Sequence, residues 1–138
     1  MKDSDLGDLD WEEDGWAGEI NLTSEVPFEL FIFARANETA NREITSGARR
    51  AIRWFRDNET TCRLYAADQL LEIHNSEWSD TGNTSKEQFI QSLSPESLVI
   101  HESGYAEIGF HAGDLFCGHV VEVRRRANGN FQEACLGG

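Results

Sequence analysis

The sequence predicts an α+β fold. We expect a single domain in which an antiparallel sheet of about five or six strands carries a helical hairpin and a short helix on one face. The first and last thirds of the chain alternate apolar and polar residues with a period of two, whereas the middle third repeats its apolar residues with a helical period. Helices grouped between two sets of strands are typical of helices packed on one side of a sheet.

The N-terminal segment is predicted to be a flexible acidic tail over residues 1–15, followed by a folded domain over residues 16–138. Its first 14 residues hold seven carboxylates and a single lysine. Dense like charge opposes folding, because the groups repel one another and few apolar residues offset them. Two strands are predicted next, at residues 16–22 and 26–33, joined by a turn at residues 23–25.

The middle of the chain is predicted to form two helices, one over residues 40–57 and one over residues 60–75. The apolar residues of the first predicted helix recur at helical spacing and so share one face: Ile44, Ala48, Ala51, Ile52 and Phe55. Asp57 and Asn58 are expected to end this helix, so that the pair folds into an antiparallel hairpin. A capping box with Thr84 at the N-cap and Glu87 three residues later predicts the start of the short third helix.

The last third is predicted to be a β-meander with strands near residues 97–100, 105–110 and 114–126, and a final strand after Asn128-Gly129. Asn-Gly favours a type I′ hairpin turn, because both central residues of that turn need positive φ. The turn also predicts a register in which the apolar pairs share one face of the sheet. The expected pairs are Arg124 with Glu133, Val123 with Ala134, and Val121 with Leu136.

The stretch DLFCGHVVEV at residues 114–123 contains a cysteine and a histidine two positions apart. Counting back by two from Val121 places His119 and Cys117 on the core-facing side of a strand, where their role is structural. A zinc site needs about four ligands, and His101 and His111 lie at no metal-binding spacing, so no metal and no cofactor is predicted. An enzyme of unknown reaction is the alternative, with a site near Asp114, Cys117 and His119, and with His111 as a further candidate.

Residues 114–123, the Asn128-Gly129 turn and the small-residue ending at 136–138 resemble an uncharacterised bacterial family, domain of unknown function 2262. Its members read Asp-Leu-Phe-Trp-Gly-His before a hydrophobic strand, and the resemblance covers most of residues 16–138. Cys117 stands where the family has tryptophan, which can act neither as a ligand nor as a nucleophile. The resemblance implies no established activity, although small acidic domains of this kind resemble immunity proteins found beside bacterial toxins.

The net charge of −13, from 25 acidic and 12 basic residues, favours a binding function over catalysis. A negative field attracts basic surfaces and repels phosphate backbones, so we expect a basic protein partner, and no nucleic acid despite an arginine-rich helix at residues 42–56. The predicted function is an immunity-type or inhibitor-like protein that acts by stoichiometric binding; a regulatory or structural subunit is a further alternative. The candidate binding residues are Trp11, Glu12, Glu13, Asp14, Asp68, Glu72, Glu77, Trp78 and Asp80.

The sequence also predicts a cytoplasmic location. Cys62, Cys117 and Cys135 are widely spaced and form no CxxC pair, which is typical of reduced thiols. The N-terminus has no signal-peptide pattern, and no apolar run approaches the roughly 18–20 residues of a membrane span. The sequence makes no prediction of the oligomeric state.

Overall fold

The computed structural model describes residues 2–3, 6–20, 28–34, 42–101 and 103–137. Its strands are β1 (Lys2–Asp3), β2 (Gly7–Asp8), β3 (Asp10–Glu12), β4 (Gly15–Ile20), β5 (Phe28–Phe33), β6 (Ser94–Ile100), β7 (Ala106–His111), β8 (Val120–Arg125) and β9 (Phe131–Gly137). The helices are α1 (Arg42–Ile73) and α2 (Lys86–Gln91), and a π-helical turn (His74–Trp78) follows α1. The predicted turn at 23–25 and the predicted helix start at 40–41 lie outside the described residues.

One mixed sheet of seven strands runs in the order β3-β4-β5-β6-β7-β8-β9, and β1 pairs separately with β2. The prediction of an α+β fold is confirmed, but the prediction of five or six antiparallel strands is corrected in two respects. The acidic segment supplies β3, and β5 pairs with β6 in parallel. A parallel pair cannot be joined by a tight turn, so the chain between β5 and β6 crosses over through the helices.

The two faces of the sheet differ because side chains alternate along each strand. Leu30 of β5 lies opposite Leu98 of β6, and both are buried in the core. The described helices pack on this core face, where Phe55 of α1 contacts Phe110 of β7. No described helix packs on the opposite side, which we call the open face.

The predicted break at Asp57-Asn58 is confirmed as a kink, but the predicted antiparallel hairpin is wrong, because the two helical segments continue into each other as α1. Residues 42–73 run as one helix with a single kink at Asn58, whose φ of −125° and ψ of 16° are not helical. The Asn58 side-chain amide donates to the carbonyl oxygen of Trp54 over 2.8 Å, so this carbonyl has a hydrogen-bond partner at the kink. The helix contacts β8 and β9 of the sheet.

The start of α2 lies one residue later than predicted. Ser85 is the N-cap: its hydroxyl accepts from the amide of Gln88 over 3.1 Å, and its amide donates to the Gln88 side chain over 2.9 Å. Thr84 is engaged elsewhere, because its backbone amide donates to the Asn75 side chain. The capping box therefore pairs Ser85 with Gln88 instead of Thr84 with Glu87.

The predicted register of the last hairpin is confirmed in all three pairs. The turn type is different, because Cys117 is the only described non-glycine residue with positive φ, which excludes a left-handed Asn128. The Gly129 amide donates to the carbonyl of Arg126, and Gly129 itself has a φ of 90°. The loop therefore has three residues, 127–129, and ends in a glycine. A register shift between Arg124 and Arg125 brings the remaining residues of the two strands into the predicted pairs.

The acidic N-terminal segment differs from the predicted tail. Leu6 and Leu9 are 0% and 1% exposed, and β3 pairs with β4. Trp11 packs edge-to-face on Trp16, with 5.3 Å between ring centroids. The apolar side chains are buried while the carboxylates of residues 8, 10 and 12–14 stay in solvent, where water and salt screen their repulsion.

Among the described residues, no helix combines the length and apolar composition that spanning a membrane requires.

Candidate functional site

The open face near β3, β4 and β5 carries a group of exposed carboxylates, which we call the acidic face: Asp10, Glu12, Glu19 and Glu29. Asp10 and Glu12 pair with Ala17 and Gly15 of β4, so their side chains lie on the side of the sheet opposite to the core. Glu13 and Asp14, in the turn that follows, are exposed as well. The structure thus brings the predicted residues Glu12, Glu13 and Asp14 into one acidic region.

Glu19 and Glu29 are directly opposite each other on neighbouring antiparallel strands. Like charges at directly opposed positions destabilise a sheet, typically by about 0.2–1 kcal/mol. Sequence reasoning missed both residues, because their juxtaposition depends on the register of β4 with β5. The alternation of β5 is visible in the sequence, but its alignment with β4 is not.

An aromatic strip lies beside the acidic face on the open side of the sheet. Phe31 and Phe33 are half-buried and meet edge-to-face at 4.9 Å, and the Phe33 ring stacks on His101 at 4.8 Å. Phe31 covers Gly15, where an added Cβ would approach the Phe31 ring to 2.9 Å. Aromatic residues surrounded by polar ones are typical of protein interfaces.

The predicted anchors Trp11 and Trp78 have different environments. Trp11 lies on the core side of β3 and is half-buried against Trp16, so only part of its ring is accessible. Trp78 is half-buried at the end of the π-helical turn, where its ring centroid lies 5.6 Å from that of Phe116 and 5.8 Å from that of His119.

The second predicted group consists of exposed carboxylates near Trp78 in the sequence, which we call the surface around Trp78: Asp68, Glu72, Glu77 and Asp80. Asp68 forms an exposed ion pair of 2.7 Å with Lys86, and such pairs contribute little to stability. Trp78 borders the β8–β9 side of the sheet through His119, whereas the acidic face lies at the β3 side. The predicted binding residues therefore form two separate surfaces.

His74 is a buried residue of this second region that connects neighbouring segments, and sequence reasoning missed it. It is 4% exposed, and its Nδ1 lies 2.9 Å from the carbonyl oxygen of Leu115. A carbonyl only accepts, so Nδ1 carries the hydrogen, and in the neutral ring Nε2 accepts from the Thr84 hydroxyl at 3.0 Å. The ring also packs against Phe89 and Phe116.

The DLFCGH stretch forms a turn and not the start of a strand, so the prediction that Cys117 and His119 face the core is wrong. Leu115 and Phe116 are buried, and strand β8 begins only at Val120. Cys117 has a φ of 52° and Gly118 a φ of 90°, and these left-handed residues turn the chain outward. Cys117 and His119 are consequently exposed.

The chemistry available at this turn is limited. His119 Nδ1 lies 3.4 Å from the carbonyl of Gly137, and Asp114 and His111 are exposed. No group of three or more potential metal ligands occurs in the part of the chain that the structure describes. Elsewhere, burial raises the pKa of the Cys62 thiol to about 12, which leaves it protonated and unreactive at neutral pH.

A family comparison agrees with the DLFCGH pattern. The model of a family described as "Uncharacterized protein conserved in bacteria (DUF2262)" matches residues 3–136. The chain belongs to this family. The match includes the acidic segment, whereas the resemblance read from the sequence begins near residue 16. No curated protein and no solved structure matches the chain.

Proposed function

We propose that this member of the family is a small acidic binding protein, immunity-type or inhibitor-like, that binds a basic partner protein stoichiometrically through the acidic face. The observation that carries the proposal is the opposed pair Glu19 and Glu29 on a side of the sheet where no described helix packs. A like-charged pair costs folding stability. A cationic group of the partner placed between the two carboxylates would offset that cost on binding.

The surroundings of this pair suit a protein partner. The half-buried rings of Phe31 and Phe33 offer apolar contact area beside the carboxylates, and a few aromatic anchors supply most of the affinity in many interfaces. The surrounding charge would steer a basic partner and raise its association rate at low salt. The same field repels phosphate backbones, so nucleic acid is not the proposed partner.

The cytoplasm is the proposed compartment. Cys62, Cys117 and Cys135 are all free thiols in the structure. Free thiols persist in reducing compartments, whereas secreted domains of this size more often carry disulfides.

Affinity capture from the source cell at low salt, followed by a salt titration, tests the proposal. The face variant Asp10→Asn/Glu12→Gln/Glu19→Gln/Glu29→Gln removes four charges from the acidic face. The matched variant Asp68→Asn/Glu72→Gln/Glu77→Gln/Asp80→Asn removes four from the surface around Trp78. We expect the wild type and the matched variant to capture the same basic protein in a 1:1 ratio, and the face variant to lose it.

Three outcomes would contradict the proposal. If no protein is captured at low salt, the proposed binding function is wrong. Loss of the partner from the matched variant alone would move the interface to the surface around Trp78. Equal losses from both variants would show that net charge, and not a defined face, attracts the partner.

The alternative function is an enzyme with a site near Asp114, Cys117 and His119. One observation favours it: the Cys117 thiol is exposed and is held in a left-handed conformation, which occurs with increased frequency at functional sites. The test is the alkylation rate of Cys117 against pH in the wild type and in His119→Ala. If Cys117 and His119 form a nucleophile–base pair, His119→Ala must shift the midpoint of the alkylation profile. Identical profiles for the two proteins would contradict an enzymatic site at these residues.

A further inference from the structure

A cavity of about 120 Å³ lies between the first turns of α1 and the end of the sheet where β5, β6 and β8 finish. Its walls include Ile32, Ile44, Gly47, Arg50 and Arg125. A space of about 10–15 Å³ admits one water molecule, so this cavity can hold an anion of several heavy atoms.

Arg125 is the buried cation of this cavity. It is 8% exposed, and its guanidinium carbon lies 4.6 Å from the centre of the Trp54 ring. Its Nε is buried without a hydrogen-bond partner, and no carboxylate of the described residues forms an ion pair with it. Burial of an uncompensated charge is costly, and burial lowers the pKa of Arg125 accordingly.

Arg50 supplies a second guanidinium from α1. Gly47, one turn earlier, leaves the wall without a side chain, and an added Cβ there would lie 3.7 Å from Arg50 Nη2. His101 also borders the cavity; its ring stacks on Phe33, and its Nε2, 3.4 Å from a Glu107 oxygen, is buried without a hydrogen-bond partner. The two arginines are the permanently charged groups in the wall of the cavity.

The backbone adds to this positive character. The cavity touches the first turns of α1, and the N-terminal end of a helix carries a partial positive charge. It also lies at the carboxyl ends of the parallel pair β5 and β6.

We propose that the cavity binds a compact oxyanion, the phosphate or carboxylate group of a small molecule, through the guanidinium groups of Arg125 and Arg50. Guanidinium groups bind both anions through paired hydrogen bonds. The acidic carboxylates take no part in this site, because Arg125, opposite the buried Ala106, faces the core side of the sheet whereas the acidic face lies on the open side.

Thermal unfolding and calorimetric titration test this site. Sodium phosphate and sodium acetate are compared with sodium chloride at constant ionic strength, so that screening by salt stays the same. We expect at least one of the two anions to raise the melting temperature of the wild type, because a ligand of the native state stabilises it. The anion with the larger effect identifies the group that the cavity selects.

Four variants assign the response to the cavity. Arg50→Gln should weaken binding at least five-fold and Arg125→Gln should abolish it. Arg56→Gln, on α1, and Arg126→Gln, beside Arg125, remove the same charge from exposed positions and should bind as the wild type does.

A wild type that responds to neither anion beyond chloride would overturn the proposal, as would an Arg50→Gln protein that binds with wild-type affinity. If Arg125→Gln fails to fold, Arg50→Gln still decides the question, because the exposed Arg50 side chain can change without disturbing the core.

Discussion

At the scale of single residues, His74 holds three segments together: the π-helical turn, the loop at Thr84 and the turn at Leu115. His74→Ala should lower the free energy of unfolding by about 2–3 kcal/mol, because it removes a buried ring and leaves its partners unsatisfied. His111→Ala, at an exposed position, should change stability little. Urea denaturation of both variants measures the difference, and equal effects would show that His74 is not a structural centre.

Cys117 tests the left-handed turn. Cys117→Val should destabilise the protein by about 1–2 kcal/mol, because a β-branched residue is strained at positive φ. Cys117→Asn should be close to neutral, since asparagine tolerates this conformation. Guanidinium denaturation compares the two, and a valine variant as stable as the asparagine variant would mean that position 117 is not left-handed.

At the scale of elements, the N-terminal segment shows how far local composition can mislead. The sequence predicts a flexible tail, whereas Leu6 and Leu9 are buried. Leu6→Ala and Leu9→Ala should each cost about 2–4 kcal/mol, as large-to-small changes in a core do. Leu64→Ala, at a position 40% exposed, is the control. If chemical denaturation finds all three variants equally stable, Leu6 and Leu9 are not part of the core, and the segment is the flexible tail that the sequence predicts.

The elements that the sequence predicts correctly have a strong local signal. The last hairpin is of this kind, because the period-two alternation of apolar residues on its two strands predicts the observed register even though the turn has another type. Other features depend on distant contacts. The continuation of α1 across the kink at Asn58 depends on packing against β8 and β9. The burial of Leu115 and Phe116 in place of Cys117 and His119 depends on the pocket around His74.

At the scale of the molecule, the candidate binding surface follows from topology. The crossover between β5 and β6 leaves one face of the sheet without a described helix, and the register of β4 with β5 places Glu19 against Glu29 there. The sequence predicts an acidic binding protein from its net charge. It cannot indicate which carboxylates share a face, because that depends on strand alignment.

The opposed pair has a measurable cost. Glu19→Gln and Glu29→Gln should each raise the free energy of unfolding by about 0.2–1 kcal/mol at low salt, since either removes the repulsion across the strands. The double variant should gain less than the sum of the two, because the repulsion can be removed only once. Urea denaturation at low and high salt measures these gains. Additive gains that are unchanged by salt would show that the two carboxylates do not interact.

The most direct test of the acidic face is the association rate constant of the captured partner, measured against salt for the wild type and the face variant. The proposed steering predicts a wild-type rate that falls steeply with salt and a face variant whose rate is lower and falls less steeply with salt. The same salt dependence in both proteins would contradict binding through the acidic face.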